Sequence, residues 1–543
     1  MKKLLLILLS LFTLQCFPQQ GEWTWMNGDS TFNSLGHPGT QGIFDSLNSP
    51  PAIYEPCEWT DNQGSFWLFG GVDNNLNDHS DLWKFNPVTN QWAWIKGPGI
   101  TNQPGIYGTQ GIPSPNNNPG ARSWGIPTWV DSAGNLWLFG GGGYDITGIN
   151  HGYLNDLWMY NITSNEWTWF KGPTNVDNTG TYGTIGIQTS SNNPPSREET
   201  NISWTDVNNL YLFGGYAGVR GAYSDLWKFN ISTNNWTWIN GPDITNQLPV
   251  YGTLGVPDSS NIPCSRYAYA KWKDCNNNLW FFAGSDDTGN VYNDLWQYKI
   301  STNQWAWMGG TNILNDTGTL GNQCTPDINN IPFSRYENRA CWLRGNGNFE
   351  FFGGYSRDSG GINLSDLWDY NVMTKQWTLI SGTTLSNQPG NYGTKTISTP
   401  QNLPPSRGGA ISWKDLQGNL WLFGGSKFSG GRFNDMWKFI PDTTCPVLIP
   451  CNSTEAINTP NILTNQISIY PNPASTTITI SMSVIPMKGE SLSITDILCN
   501  QILLKQITSE QTTINISQLS NGIYFYQLIN NKEIKQGKFI ILK

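Results

Sequence analysis

Residues 66–71 read Phe-Trp-Leu-Phe-Gly-Gly, and close copies of this phrase return five more times along the 543-residue chain. The copies end at Gly71, Gly141, Gly215, Gly284, Gly354 and Gly425, a spacing of 69 to 74 residues. Self-similarity at a fixed period marks a repeat architecture, in which each unit buries its apolar face against the next.

Working outward, each copy is followed by Asp-Leu-Trp or a near variant, at Asp81, Asp156, Asp225, Asp294, Asp366 and Asp435. In the first five units a turn such as NPVTN or NISTN comes next, then an alternating aromatic strand: Trp92/Trp94, Trp167/Trp169, Trp236/Trp238, Trp305/Trp307 and Trp377/Leu379. Ahead of the glycine pair stands a Trp-x-Asp segment, as in Trp59-Thr60-Asp61 and Trp413-Lys414-Asp415. Each unit therefore reads as four short strands, a to d. Strand b is apolar throughout and expected to be buried on both faces. Four strands repeated radially make a propeller.

The double glycine after an apolar strand, the later aromatic and the tryptophan of the fourth strand resemble the kelch family. The resemblance covers roughly residues 22–440 and implies an all-β kelch-type β-propeller. Kelch units run to about 50 residues, and these are about 20 longer. The sixth unit stops after strand c, at Phe439-Ile440, while an unmatched Trp23-Thr24-Trp25 stands at the other end of the chain. The expected fold is thus a six-bladed propeller closed by its N-terminal strand, which removes an open sheet edge.

The extra length lies between strand d and the next strand a, with a core at Gly39-Thr40, Gly108-Thr109, Gly183-Thr184, Gly252-Thr253, Gly318-Thr319 and Gly393-Thr394. Because strands alternate in direction, the d–a and b–c connections emerge on one face. Function on such scaffolds sits where loops are long. The recurring Tyr107, Tyr182, Tyr251 and Tyr392 of these inserts are the candidate loop-face contacts, either pinning each loop or touching a ligand.

Composition bounds the rest. Net charge is −9, which disfavours a nucleic-acid partner. Lys2 and Lys3 followed by the apolar run Leu4–Leu14 read as a signal peptide over residues 1–20, leaving no transmembrane segment in the mature chain. Cysteine is sparse; Cys445 and Cys451 are close enough to pair, and no CxxC zinc motif occurs.

No chemistry assembles from the motifs. The repeated Asp of Asp-Leu-Trp and the arginines Arg122, Arg197, Arg266, Arg335 and Arg407 recur blade by blade, as scaffold does. Loops at Asp73–Asp81 and Asp286-Asp287 carry oxygen ligands without a calcium-motif spacing. The kelch resemblance raises the galactose-oxidase type of copper enzyme, which implies two histidines, two tyrosines and a Tyr–Cys crosslink; the chain offers His37, His79 and His151, with Cys57 nearby. A sialidase-like hydrolase wants an arginine triad, and Arg220, Arg339, Arg344, Arg357 and Arg432 are dispersed in sequence. No cofactor, no metal and no catalytic residue are expected.

After Ile440 the composition shifts. Residues 441–465 read as a linker, and 466–543 as a small β-sandwich. Pro471-Asn472-Pro473, Gly522-Ile523-Tyr524, and the lysines Lys535 and Lys538 resemble a type A C-terminal sorting domain of the type IX secretion system. The resemblance implies passage through the secretion machinery to the outer surface or medium. The expected protein is a monomeric, non-enzymatic binder of a glycan or an extracellular protein. The alternative is a carbohydrate-active or oxidative enzyme with its site at the central channel mouth.

Overall fold

The computed structural model describes residues 21–441, apart from 201–202, 207, 358–360 and 384, and residues 467–543, apart from 472–473, 483–490, 496–500, 508, 510 and 530–533. The expected signal peptide, the Cys445–Cys451 pair and nearly all of the expected linker lie outside the described residues. The chain splits into two compact units, Met1–Asn452 and Ser453–Lys543. Among the described residues the helical content is one 3-10 turn, Gly218–Arg220, and no helix is long and apolar enough to cross a membrane.

The first unit is β-propeller-like, built from antiparallel sheets that follow the repeats. The first sheet comprises Cys57–Thr60, Phe66–Phe69, Leu82–Asn86 and Gln91–Lys96. Four further sheets span residues 122–171, 203–240, 270–309 and 341–381. The last contains Ile411–Lys414, Leu420–Phe423 and Met436–Ile440, and its outer edge is Glu22–Asn27. Trp23 lies opposite Phe439, and Trp25 opposite Trp437.

Local chemistry sets each element. The Phe66–Phe69 strand is buried at every position, as its unbroken apolar sequence requires. The Asp of Trp-x-Asp fixes the a–b turn. Asp61 Oδ1 accepts from the backbone N–H of Gln63 and Ser65 at 3.0 and 2.9 Å, and Oδ2 from Trp67 Nε1 at 2.9 Å. Asp131, Asp274 and Asp415 repeat the pattern.

The glycine pair is the seam between sheets. Gly70 has φ +72°, and a Cβ there would sit 2.5 Å from the Arg122 carbonyl oxygen of the next sheet. This close approach lets Gly71 N–H donate to Arg122 O at 2.9 Å. Gly141, Gly215, Gly284 and Gly354 bond Arg197, Arg266, Arg335 and Arg407 in the same way, and Gly425 donates to Ile53 O at 3.3 Å. Each innermost strand also contacts the next around the series, and Ile411–Lys414 contacts Cys57–Thr60.

The inserts are not free loops on one face. Each folds back along the outer strand of the sheet it precedes. Gly111 N–H donates to Trp169 O at 2.8 Å, Gly186 to Trp238 O at 2.7 Å, and Gly255 to Trp307 O at 2.7 Å. The unpaired edge of strand d is thereby covered. One register differs from expectation. In the fifth insert Gly321, not Gly318, faces its asparagine as Gly108 faces Asn117, and Cys324 N–H makes the edge bond to Leu379 O. The repeat there is Leu320-Gly321-Asn322, because packing against Asn330 fixes the register and Gly-Thr spelling does not.

The second unit holds a three-stranded sheet, Ile467–Tyr470, Thr477–Met482 and Gln511–Asn515, and a four-stranded sheet in the order Gln501–Gln506, Ser491–Thr495, Gly522–Ile529, Ile534–Ile541. Its core contains Ile478, Ile480, Leu492, Ile494, Ile514 and Phe539.

Candidate functional site

The repeated charges form a buried scaffold. Arg122 makes two hydrogen bonds to Asp156, at 2.7 and 2.8 Å, and both side chains are fully buried. Arg197–Asp225, Arg266–Asp294, Arg335–Asp366 and Arg407–Asp435 repeat this pair. The insert tyrosines belong to the same network. Their hydroxyls donate to the aspartates: Tyr107 to Asp156 at 2.8 Å, Tyr182 to Asp225 at 2.7 Å, Tyr251 to Asp294 at 3.0 Å and Tyr392 to Asp435 at 2.7 Å. Tyr107 is buried and the other three half-buried. Of the two roles expected for these tyrosines, this geometry serves the pinning of each insert. The first repeat departs, with Ile53 where the others have arginine. Burial pushes Asp81 up to about 6 there.

The two residues after the arginine position differ from repeat to repeat: Tyr54-Glu55, Ser123-Trp124, Glu198-Glu199, Tyr267-Ala268, Tyr336-Glu337 and Gly408-Gly409. The second of each pair has positive φ, from +50° at Glu55 to +66° at Trp124. Backbone bonds run from one to the next. Glu199 N–H donates to Trp124 O, Ala268 to Glu199 O, Glu337 to Ala268 O and Gly409 to Glu337 O, at 2.7 to 3.2 Å. Five non-glycine residues in this strained conformation at one place mark a functional candidate.

An open cavity of about 660 Å³ lies above these turns. It occupies the end of the sheets from which the b–c and d–a connections emerge. Its walls are aromatic: Tyr54, Trp124, Tyr216, Tyr267, Tyr336, Tyr355 and Phe428. Tyr54 and Trp124 meet edge to face at 5.5 Å, and Tyr355 meets Tyr336 and Phe428 at 5.6 Å each. Its charges are Glu198, Glu199, Glu337, Arg357, Lys427 and Arg432. Burial first, and neighbouring carboxylates second, hold Glu199 and Glu337 well above the usual carboxylate range. Glu198 is pushed up to about 8, again mainly by burial.

The fold thus assembles groups that the sequence left scattered. Arg357 and Arg432 both line this cavity. Arg339 pairs with Glu58 at 2.7 Å and lies 3.6 Å from Glu55. Arg344 pairs instead with Glu350, and Arg220 with Asp177. Reading the repeats for sameness missed the aromatic walls; the signal for them is where the repeat changes.

The remaining candidates, His37, His79, His151 and the cysteines among them, do not line this cavity. His151 Nε2 lies 2.7 Å from Asp78 Oδ2, and His79 lies 3.9 Å from Asp73. Asp73 Oδ1 accepts from the backbone of Asn75 and Asn77 at 2.8 and 3.0 Å, and Asp286 Oδ1 does the same with Thr288 and Asn290. Both acidic loops therefore close Asx turns. Cys57, Cys264, Cys275 and Cys341 are free thiols.

In the C-terminal unit Pro471 follows the first strand, while Asn472 and Pro473 lie outside the described residues. Gly522 opens a strand in which Tyr524 is buried, with its ring on Phe539 and its hydroxyl donating to Ser520 O at 3.1 Å. Lys535 lies opposite Leu528, and Lys538 opposite Phe525, in the adjoining strand pair.

Residues 46–242 match the kelch-repeats domain model of KLHDC2, KLHL20 and DRC7, and residues 468–542 match the secretion system C-terminal sorting domain model. Among solved structures the chain is similar to YjhT, at 12% identity over 72% of this chain and 95% of that one, with a TM-score of 0.44. It is similar to a copper-bound fungal alcohol oxidase of the AA5 family, at 10% identity over 93% and 100% of the two chains, TM-score 0.39. A third similarity is to PorZ, a surface component of the type IX secretion system of Porphyromonas gingivalis, at 13% identity over 92% and 52%, TM-score 0.33.

Proposed function

We propose that this chain, a kelch-repeat protein with a type IX secretion sorting domain that directs it to the outer surface or the medium, is a binding protein whose ligand enters the aromatic cavity. The ligand class is a glycan or another extracellular protein. The carrying observation is the cavity of about 660 Å³, walled by the residues at which otherwise uniform repeats diverge. Tyrosine and tryptophan faces stack on sugar rings and anchor protein contacts, and the mixed carboxylates and guanidinia fix orientation.

The scaffold of this reading is a six-bladed propeller over residues 21–440, closed by the N-terminal strand, with a signal peptide over 1–20, a linker over 441–465 and the sorting domain over 466–543. Supporting the closure are the pairing of Trp23 with Phe439 and the bond from Gly425 N–H to Ile53 O. The protein acts as a monomer without catalysis.

A glycan array and an extracellular pull-down, each run with the wild type and with Tyr267→Ala/Tyr336→Ala, test the proposal. Capture lost in the double variant supports it; capture that survives moves the site elsewhere. The enzymatic alternative draws on Glu198, whose raised pKa suits a general acid near neutral pH. Turnover of a glycoside or alcohol substrate that Glu198→Gln abolishes would establish that alternative.

A further inference from the structure

The floor of the cavity carries a feature that does not depend on which ligand the cavity takes. Glu55, Glu199 and Glu337 come from the first, third and fifth repeats, and one carboxylate oxygen of each lies within 4.8 Å of the others. Among the described residues this is the one cluster of three or more potential metal-ligating side chains. An acidic cluster alone is no site, because carboxylates also gather and share protons.

The second observation is the state of the oxygens. Glu55 is 0% exposed, and apart from its contacts with Glu199 and Glu337 inside the cluster both its carboxylate oxygens lack a hydrogen-bond donor. One oxygen each of Glu199 and Glu337, which are 6% and 4% exposed, is also without a donor. The nearest cation does not answer them. Arg339 donates through Nη2 to Glu58 and to the Pro56 carbonyl, and its Nη1 stays 3.6 Å from Glu55. Buried acceptors without donors are rare and costly.

We propose that Glu55, Glu199 and Glu337 form a site for a hard divalent cation of the calcium type. Three oxygens within 4.8 Å share a point no more than ~2.8 Å from each, so a slight inward shift reaches the calcium–oxygen distance of about 2.3–2.6 Å. The donor set is all oxygen, which suits Ca²⁺, Mn²⁺ or Mg²⁺ and disfavours the softer zinc and copper. Glu199 and Glu337 line the open cavity, so an ion arrives from solvent and keeps waters on that side. The two charges on the ion offset carboxylates that Arg339, already paired with Glu58, leaves uncompensated. The ion ties three non-adjacent repeats together beneath the ligand cavity.

The test uses the full chain, stripped with a chelator and titrated calorimetrically with CaCl₂ at pH 7.5. The expected result is a single bound Ca²⁺, a raised melting temperature, and an affinity weakened at least about tenfold by E55Q, E199Q or E337Q. Glutamine keeps the shape and removes buried charge, and near-ultraviolet circular dichroism checks that each variant is folded. D73N/D286N, in the exposed acidic loops, should leave the stoichiometry unchanged. Absence of binding by folded wild type to Ca²⁺, Mg²⁺ and Mn²⁺ overturns the proposal and leaves a proton-sharing cluster. Binding lost in D73N/D286N, or retained in E199Q/E337Q, also overturns it.

Discussion

Asp156 Oδ2 accepts from Arg122 Nη2 at 2.8 Å while Oδ1 takes Nη1 at 2.7 Å, and both residues are sealed from solvent. The same Oδ2 receives Trp158 Nε1 at 2.7 Å and the Tyr107 hydroxyl at 2.8 Å. One carboxylate thereby holds the arginine before strand a, strand c and the insert. Removing it strands a buried guanidinium. Asp156→Asn is expected to cost about 3–5 kcal/mol in chemical unfolding. Asp81→Asn, where Ile53 replaces the arginine, should cost little or stabilise at neutral pH.

Asp81 also sets a pH dependence. Burial pushes its carboxyl up to about 6 from the ordinary 3.8 of an exposed aspartate, so between these values the folded state holds a proton that the unfolded state has lost. Stability from this group therefore falls as pH rises from about 4 to 6 and is level above. Relative to wild type, Asp81→Asn should gain on the order of 1–3 kcal/mol across that window. Unfolding free energies of both proteins at pH 4 and pH 7 measure it, and a constant difference refutes it.

The N-terminal strand carries a packing test. Trp23 is 1% exposed and its ring packs 5.0 Å from Phe439 and 5.3 Å from Phe352. Trp23→Ala is expected to lose about 3–5 kcal/mol. Deleting residues 22–27 should lower the melting temperature further and promote self-association through the bared edge of Met436–Ile440. An unchanged melting temperature in both variants would rule out closure by this strand.

Insert and cavity tyrosines should separate cleanly. Tyr182→Phe removes one half-buried hydrogen bond to Asp225, about 1 kcal/mol of stability, and leaves ligand capture intact. Tyr336→Ala faces the cavity and should weaken capture by about 2 kcal/mol, roughly thirtyfold, with little change in melting. The reverse pattern would relocate the binding surface to the inserts.

The sorting-domain match in the C-terminal unit carries a prediction about export. A chain ending at residue 466 is expected to accumulate inside the cell envelope, detectable by fractionation and surface proteolysis. Normal surface delivery of that truncation would refute the sorting role.

The fold was legible because repetition amplifies weak signals. A single Phe-Trp-Leu-Phe-Gly-Gly is an ambiguous apolar run, whereas six copies in phase with Asp-Leu-Trp and alternating tryptophans fix strand number and order. The fifth insert shows where this fails. Gly318-Thr319 matches the sequence pattern, yet Gly321 faces Asn330. A two-residue motif carries less information than the packing it serves.

The candidate site was not legible for the same reason. Tyr107, Tyr182, Tyr251 and Tyr392 recur with the same hydrogen bond to the aspartate of their repeat. Tyr54, Tyr267 and Tyr336 share one repeat position with Ser123, Glu198 and Gly408, so a reading for what all six repeats have in common passes over them. By itself the sequence determined an all-β repeat scaffold, its inner and outer strands and a sorting module, because strand period and turn chemistry are local. Only the tertiary structure decided that Glu55, Glu199 and Glu337, up to 282 residues apart, converge in one buried cluster beneath an aromatic cavity. Packing of sheet against sheet brings one residue from each of three repeats to a shared point, and no local interaction encodes that meeting.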